Sequence, residues 1–384
     1  MRKNTIAYSA KLFVGLGLML FLFSSCGYFW KALVYQQVDI DDYKIFDNNV
    51  VEAGEYHPWP MAPDYNNHVL ADSAKKYFAE LQSVAYLVVQ NNEIVFENYW
   101  DEYSDSALSN SFSAAKSIVS LLVGAAIDEG KITSVDDPVS KYVKEFDNET
   151  NRDLRIRDVL TMSSGLNWHE AYANPWSKTT RAYYGTKLEK MILKLKVKDQ
   201  PGENYHYFSG DTELLAIILR RATGKTLAEY ASEKLWTKIG AHHDALWSVD
   251  HKGGIEKAYC CFNSNARDFA RLGQLVLNKG RWNGTQVISG KWIEESLKPA
   301  SHLVDKNTGK PVNFYGYQWW MLKRNGLSVF YARGLAGQYI FIIPAKNMVI
   351  VRLGHKRSKE RIDNLPSDIY NWIDFGLAIE ESRK

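Results

Sequence analysis

Ser113-Ala-Ala-Lys-Ser-Ile-Val-Ser-Leu-Leu-Val-Gly-Ala-Ala-Ile127 is the stretch on which the reading of this chain turns. Ile118, Val119, Leu121, Leu122, Val123, Ala125, Ala126 and Ile127 make it apolar nearly all round, as expected of a helix buried in the middle of a protein. Its first turn nevertheless carries Lys116, and desolvating an ammonium is costly. At spacing i, i+3 Lys116 shares a face with Ser113. A desolvated amine beside a hydroxyl is the geometry that lowers a lysine pKa and activates a serine nucleophile. The plainer alternative makes Ser113 an N-cap and lets Lys116 snorkel to solvent. A second Ser-x-x-Lys string, Ser73-Ala-Lys-Lys76, lies on a polar helix face where both lysines are most simply solvated.

Outward from this helix, the chain reads as strands at both ends and helices between. Val69 to Glu80 suggests a helix, and Val84–Gln90 and Glu93–Tyr99 look like strands joined by an Asn91-Asn92 turn. A late pair, Tyr339–Ile343 and Met348–Arg352, is joined through Pro344 to Asn347, and a last helix is predicted over Pro366 to Ile379. Distant strands closing one sheet around a helical middle predict a mixed α/β (α+β) fold, with an antiparallel sheet flanked by helices and an inserted all-helical subdomain.

The 384 residues carry 47 Lys+Arg against 44 Asp+Glu, but Arg2, Lys3, Lys11 and Lys31 belong to the leader, so the body has 43 basic residues against 44 acidic. A nearly neutral body has no electrostatic footprint for nucleic acid. Leu12 to Trp30 is 19 residues without a charge behind three basic ones. It reads as a signal peptide or membrane anchor over 1–31, followed by a tether or strap over 32–66 and one domain over 67–384. Phe23-Ser-Ser-Cys26 resembles a lipoprotein cleavage site, with Cys26 as the lipidated residue. Lipoprotein, uncleaved anchor and plain secretion all place the body in the cell envelope or beyond, outside the cytoplasm, with the membrane as partner of the N-terminal segment. Cys260 and Cys261 are adjacent, and no disulfide is expected between neighbours.

Several motifs fail. There is no Gly-x-Ser-x-Gly elbow; His169-Glu170 opens a zinc-protease string whose fifth position is Ala173; and Gly224-Lys-Thr226 lacks the first glycine of a P-loop. Gly224 reads instead as the cap of a helix over Leu214–Ala222.

Two long segments carry a resemblance: Leu154-Arg-Ile-Arg-Asp-Val-Leu-Thr-Met-Ser-Ser-Gly-Leu-Asn-Trp168 and Pro201-Gly-Glu-Asn-Tyr-His-Tyr-Phe-Ser-Gly-Asp211. Lys131-Ile-Thr-Ser-Val-Asp-Asp-Pro138, Ala266-Arg-Asp-Phe-Ala-Arg-Leu-Gly273, Gly316-Tyr-Gln-Trp-Trp320 and Gly334-Leu-Ala-Gly-Gln338 follow the same pattern, in order, between Val69 and Ile379. With the Ser-x-x-Lys string, the chain resembles the serine β-lactamase-related family, which holds class C β-lactamases, penicillin-binding-protein-like D-alanyl-D-alanine carboxypeptidases, esterases and 6-aminohexanoate-dimer hydrolases. The esterase and aminohexanoate branch is the more similar. The resemblance implies a β-lactamase/transpeptidase-like fold and acyl transfer to Ser113, with hydrolysis of a small ester or amide and no metal or cofactor.

Carried over by residue, the resemblance makes Ser113 the nucleophile and Lys116 its partner. Tyr207-Phe-Ser209 matches the family's Tyr-x-Asn, so Tyr207 would move the serine proton, while Ser209 lacks the amide that helps bind a substrate carbonyl. Tyr205 is a rival two residues earlier. The third motif falls on Ala332-Arg-Gly334, which has lost the Lys or His that helps hold a substrate carboxylate. Arg333 could supply charge there if it pointed inward, although an arginine at such a place is more often solvated; Gly334 allows close backbone approach, and the Leu335 amide could join that of Ser113 as an oxyanion hole. Uncharged short esters or linear amides are therefore expected to react faster than cephalosporins, helped by whichever of Trp168, Tyr205, Tyr315, Trp319 and Trp320 line the cleft. The alternatives are a D-alanyl-D-alanine carboxypeptidase or β-lactamase and, from another class, a catalytically silent envelope binding module.

Overall fold

The computed structural model describes residues 27–383 apart from Gln36, Val69, Ala173 and Pro175. Cys26 and the leader before it lie outside the described residues. Among the described residues, no helix is long and apolar enough to cross a membrane.

Helix α1 (Asp72–Glu80) leads into β1 (Ser83–Gln90) and β2 (Glu93–Tyr99), joined by Asn91 and Asn92 at φ 53° and 66°. Positive φ at both central residues is what a two-residue hairpin turn demands. Helix α2 (Ala115–Asp128), α3 (Ser209–Thr223) and α4 (Ala266–Leu277) follow, then β3 (Trp320–Arg324), β4 (Leu327–Gly334), β5 (Gln338–Ile343), β6 (Met348–Gly354) and α5 (Asp368–Ser382). The six strands form one antiparallel sheet in the order β3-β4-β5-β6-β1-β2. Strands from the two ends of the chain thus meet at β6 and β1; the remaining body is not all-helical as expected, since a second antiparallel sheet, Asn48–Val51, Ala245–Ser248, Phe262–Ser264 and Ser109–Asn110, lies among its helices.

Every residue of β1 and β6 is buried, because both sheet faces are covered. Alternation sends Leu87, Val89, Val349 and Val351 into the core shared with α2 and α4, and Tyr86, Val88, Ile350 and Met348 against Phe78 of α1 and Trp372 of α5. Twelve successive residues of α2, Ala115 to Ala126, are buried. Residues of the 37–66 segment lie on the body: Asn48–Val51 pairs antiparallel with Ala245–Ser248, and Asp42 accepts the Tyr183 hydroxyl at 2.6 Å.

Two expectations are corrected, and one hairpin is added. The last helix runs from Asp368 to Ser382, shifted by two to three residues at each end, since Pro366 belongs to a short strand. Cys260 and Cys261 do form a disulfide, against the expectation that neighbours stay unbonded. Both are buried, and Cys261 at φ 68° leaves the extended and helical regions in which adjacent side chains diverge. Finally, the β3–β4 hairpin went unread, although Asn325-Gly326 at φ 50° and 76° is its turn.

Gly273 lets α4 lie directly on the sheet: a Cβ there would stand 2.6 Å from Val349 Cγ1 and 3.0 Å from Ile340 Cγ2. Alanine gains about 1 kcal/mol of helix propensity, whereas overpacking costs about 1–3 kcal/mol. Gly273→Ala is therefore expected to lower the urea midpoint without changing the slope of the transition.

Candidate active site

Ser113 sits in a 3-10 turn, Phe112–Ala114, that runs straight into α2. Asn110 Oδ1 accepts the Phe112 N–H at 2.9 Å, and Phe112 is held at φ 45°, a conformation that costs a bulky residue on the order of 1–3 kcal/mol. The N-cap position of α2 is Ala114, so Ser113 does not hold it. Lys116, 1% exposed, points inward. Its Nζ donates to Ser113 Oγ (3.1 Å), Ser209 Oγ (3.3 Å) and the Tyr259 carbonyl (2.7 Å), which uses all three ammonium protons. Burial pulls the Lys116 pKa down to about 8, and the carboxyl groups of Glu170, Glu213 and Asp211 oppose that fall, Glu170 most.

Tyr207 comes to the other side of Ser113. Its ring centroid is 5.1 Å from Lys116 Nζ. Burial raises its pKa, against the pull of its hydrogen bond with Ser113, so the phenol stays protonated at neutral pH. The strand-like segment that carries it is gripped by Met162, which accepts the His206 N–H through its carbonyl (2.7 Å) and the Phe208 N–H through Sδ (3.3 Å). Tyr205 goes elsewhere, with its ring against Phe314 and Tyr315, both at 5.3 Å.

Gln318 ties the helices together behind the site. Its Oε1 accepts from Thr212 of α3 (2.7 Å), its carbonyl accepts from Ser117 of α2 (2.7 Å), and its Nε2 donates to Leu160 O (2.8 Å). From the sheet side, the end of β4 comes so close that a Cβ on Gly334 would stand 2.1 Å from Ser111 O. Leu335 follows in the turn before β5, where Gln338 Nε2 donates to its carbonyl at 3.0 Å.

Two expectations change here. Arg333 is not solvated; it is partly buried, with its guanidinium 4.2 Å from the Trp320 ring centroid, and its charge bears on Tyr207. The same Trp320 ring lies 5.5 Å from Tyr207. Of the five aromatic candidates for the cleft wall, Trp168, Tyr205, Tyr315 and Trp319 are buried packing residues, which leaves Trp320. Glu170, read from sequence only as part of a failed zinc motif, was missed: it accepts from Ser209 N (2.9 Å), Ser209 Oγ (2.8 Å) and Trp168 Nε1 (2.7 Å). Ser209 therefore bridges Lys116 and Glu170, not the Asn-like position of its motif.

The family model described as Beta-lactamase matches residues 71–368. The chain belongs to the beta-lactamase family. This beta-lactamase-family protein is 30% identical over 286 residues to the 6-aminohexanoate-dimer hydrolase of Paenarthrobacter ureafaciens, covering 70% of this chain and 71% of that one. It is 27% identical over 161 residues to the teichoic acid D-alanine hydrolase of Staphylococcus aureus, covering 41% and 38%. A solved Bacillus anthracis protein assigned to the 6-aminohexanoate-dimer hydrolases superposes with TM-score 0.76 at 25% identity, over 89% of this chain and 93% of that one. A family VIII carboxylesterase superposes with TM-score 0.64 at 18% identity, over 83% and 98%, and shares the fold. The protein is a serine hydrolase of the esterase and amidase kind with a β-lactamase/transpeptidase-like fold.

Because the amine is the form of Lys116 that can take a proton, reactivity at Ser113 should increase with pH through about 8. The rate of fluorophosphonate labelling is expected to rise about tenfold per pH unit below that point and then level off. The raised Tyr207 pKa predicts no falling limb below about pH 10.

Proposed function

We propose that the protein hydrolyses an ester or a linear amide through an acyl-enzyme on Ser113. The observation that carries this is the fully buried Lys116 Nζ placed 3.1 Å from Ser113 Oγ. With its pKa lowered to about 8, Lys116 takes the Ser113 proton as Oγ attacks the carbonyl. Tyr207, a phenol hydrogen-bonded to Ser113, passes its proton to the leaving alcohol or amine and takes in its place the one that Lys116 received, which leaves the amine neutral for the second half. The backbone amides of Ser113 and Leu335 receive the oxyanion, which the close approach of β4 to the nucleophile turn supports. Water then repeats the sequence and frees the acid. The similarity to a 6-aminohexanoate-dimer hydrolase favours a linear amide among the amide substrates. The same proposal puts the body outside the cytoplasm on its apolar leader, with Cys26 as the lipid attachment point if the leader is cleaved there. The mass of the mature N-terminus distinguishes lipoprotein, uncleaved anchor and secreted forms.

Ser113→Ala is expected to abolish fluorophosphonate labelling, and Ser73→Ala to leave it intact. An adduct on Ser73 removes the nucleophile assignment, and no adduct on the wild type favours the silent binding module.

The inward Arg333 gives the substrate a second test. Uncharged short-chain esters or linear amides should still exceed cephalosporins in kcat/KM, since no Lys or His stands in Ala332-Arg-Gly334. If a carboxylate-bearing substrate is the faster one, Arg333→Met should lower its kcat/KM by about one to two decades, the worth of a charge-assisted hydrogen bond, and leave a neutral ester unaffected.

A further inference from the structure

Two helices that pack together carry apolar side chains that the core does not use. The helix Gly27–Val34 leaves Trp30, Leu33 and Val34 exposed. Tyr172 and Trp176, the latter 66% exposed, lie on the loop that leads into the helix Lys178–Tyr184. Between the helices, the Arg181 guanidinium is 5.7 Å from the Tyr28 ring and Tyr35 stacks on Tyr184 at 6.5 Å. These pairings follow the same order along both segments. Gly27 and Ser177, the N-cap of the second helix, therefore lie toward the same end, and Trp176 immediately precedes Ser177.

The sequence around this patch says what covers it. The uncharged run Leu12 to Trp30 leads directly into the first helix. Residues 27–37 and 171–188 contain Lys31, Lys178, Arg181 and Lys187 and no acidic residue, within a body that is otherwise nearly neutral. Exposed Trp and Tyr beside basic residues suit the boundary between anionic headgroups and acyl chains. The same loop also reaches the nucleophile. Tyr172 turns its hydroxyl toward Glu170 and Ser209 while its residue as a whole is 56% exposed, and Ser209 Oγ accepts from Lys116 Nζ.

We propose that this face seats the body on a lipid bilayer, an inference that rests on the reading of the leader as a membrane attachment. With a lipid on Cys26, or with the Leu12 to Trp30 run left uncleaved, the first helix starts at the membrane surface. Its packing on Lys178–Tyr184 carries the 171–176 loop there with it. The mouth of the Ser113 cleft is then held at the lipid–water boundary. The substrate class favoured by that position is an amphiphile, with its ester or amide carbonyl near the headgroups and its apolar chain in the bilayer. A second copy of this chain would also cover apolar side chains, but it would account neither for the leader ending at the patch nor for the missing acidic residues.

The test uses the full-length protein bound to vesicles of phosphatidylcholine and phosphatidylglycerol with brominated acyl chains, since bromine quenches only tryptophans that reach the bilayer. Trp30→Phe and Trp176→Phe should each remove part of the quenched emission. Trp100→Phe, whose ring stacks on Phe78 at 4.9 Å, should remove none. If Trp30→Phe removes quenched emission and Trp176→Phe does not, the body hangs from its leader or is covered by another copy, and the docking is overturned. A full-length protein that does not float with the vesicles overturns the reading of the leader, and the docking with it. For the substrate class, Leu33→Ser/Trp176→Ser should lower the ratio of kcat/KM for a vesicle-borne long-chain ester to that for a water-soluble short ester by about tenfold, the order expected when one buried apolar side chain is lost. An unchanged ratio overturns the amphiphile as substrate. Hydrolysis of neither ester overturns the acyl-enzyme reading, and the quenching still decides the docking.

Discussion

A lysine ammonium taken out of water needs oxygen atoms around it, because its desolvation costs several kcal/mol. Lys116 meets that need from three separate places: the turn at Ser113, the start of α3 at Ser209, and the carbonyl of Tyr259. Three segments far apart in sequence are thereby drawn to one point. The Tyr259 carbonyl is itself located by its neighbours, with Glu213 Oε2 accepting the Ala258 N–H at 2.8 Å and the Cys260–Cys261 bond closing the same turn. Loss of any of these oxygens leaves a buried charge short of a partner, so the nucleophile and the fold share one requirement.

The sheet contributes position, not chemistry. Pairing of β6 with β1 brings the late part of the chain back to the early part, and the β4 end then reaches the Ser113 turn from the opposite side to α3. Helices α2 and α3 are locked by Gln318, whose side chain and carbonyl together satisfy partners on both. A polar residue inside a core is tolerated here because its hydrogen-bonding groups are met.

Legibility followed locality. The β1–β2 hairpin could be read because Asn91-Asn92 stands between two apolar runs. The β3–β4 hairpin has an equally good Asn325-Gly326 turn, but Lys323 and Arg324 blur the alternation on an edge strand, where charges are common. Ser113 and Lys116 were visible because a helix turns three residues of spacing into contact. Glu170 was not, since its partner Ser209 is 39 residues away, beyond two short helices, Lys178–Tyr184 and Leu188–Ile192. The Tyr259 oxygen belongs to the backbone and leaves no mark in residue type. The inward turn of Arg333 depends on Trp320 across the hairpin, a pairing that follows only from a register that the sequence left unread.

The missing side chain at Gly334 has a consequence for how this cleft can change. Main chain faces main chain there, with Ser111 O where a Cβ would have to go. The slot beside the nucleophile thus has a fixed gauge that mutation can spoil but cannot retune. Any broadening or narrowing of what the protein accepts must come from its outer walls, where Trp320, Arg333 and the loop carrying Glu170 and Tyr172 present side chains of adjustable size and charge.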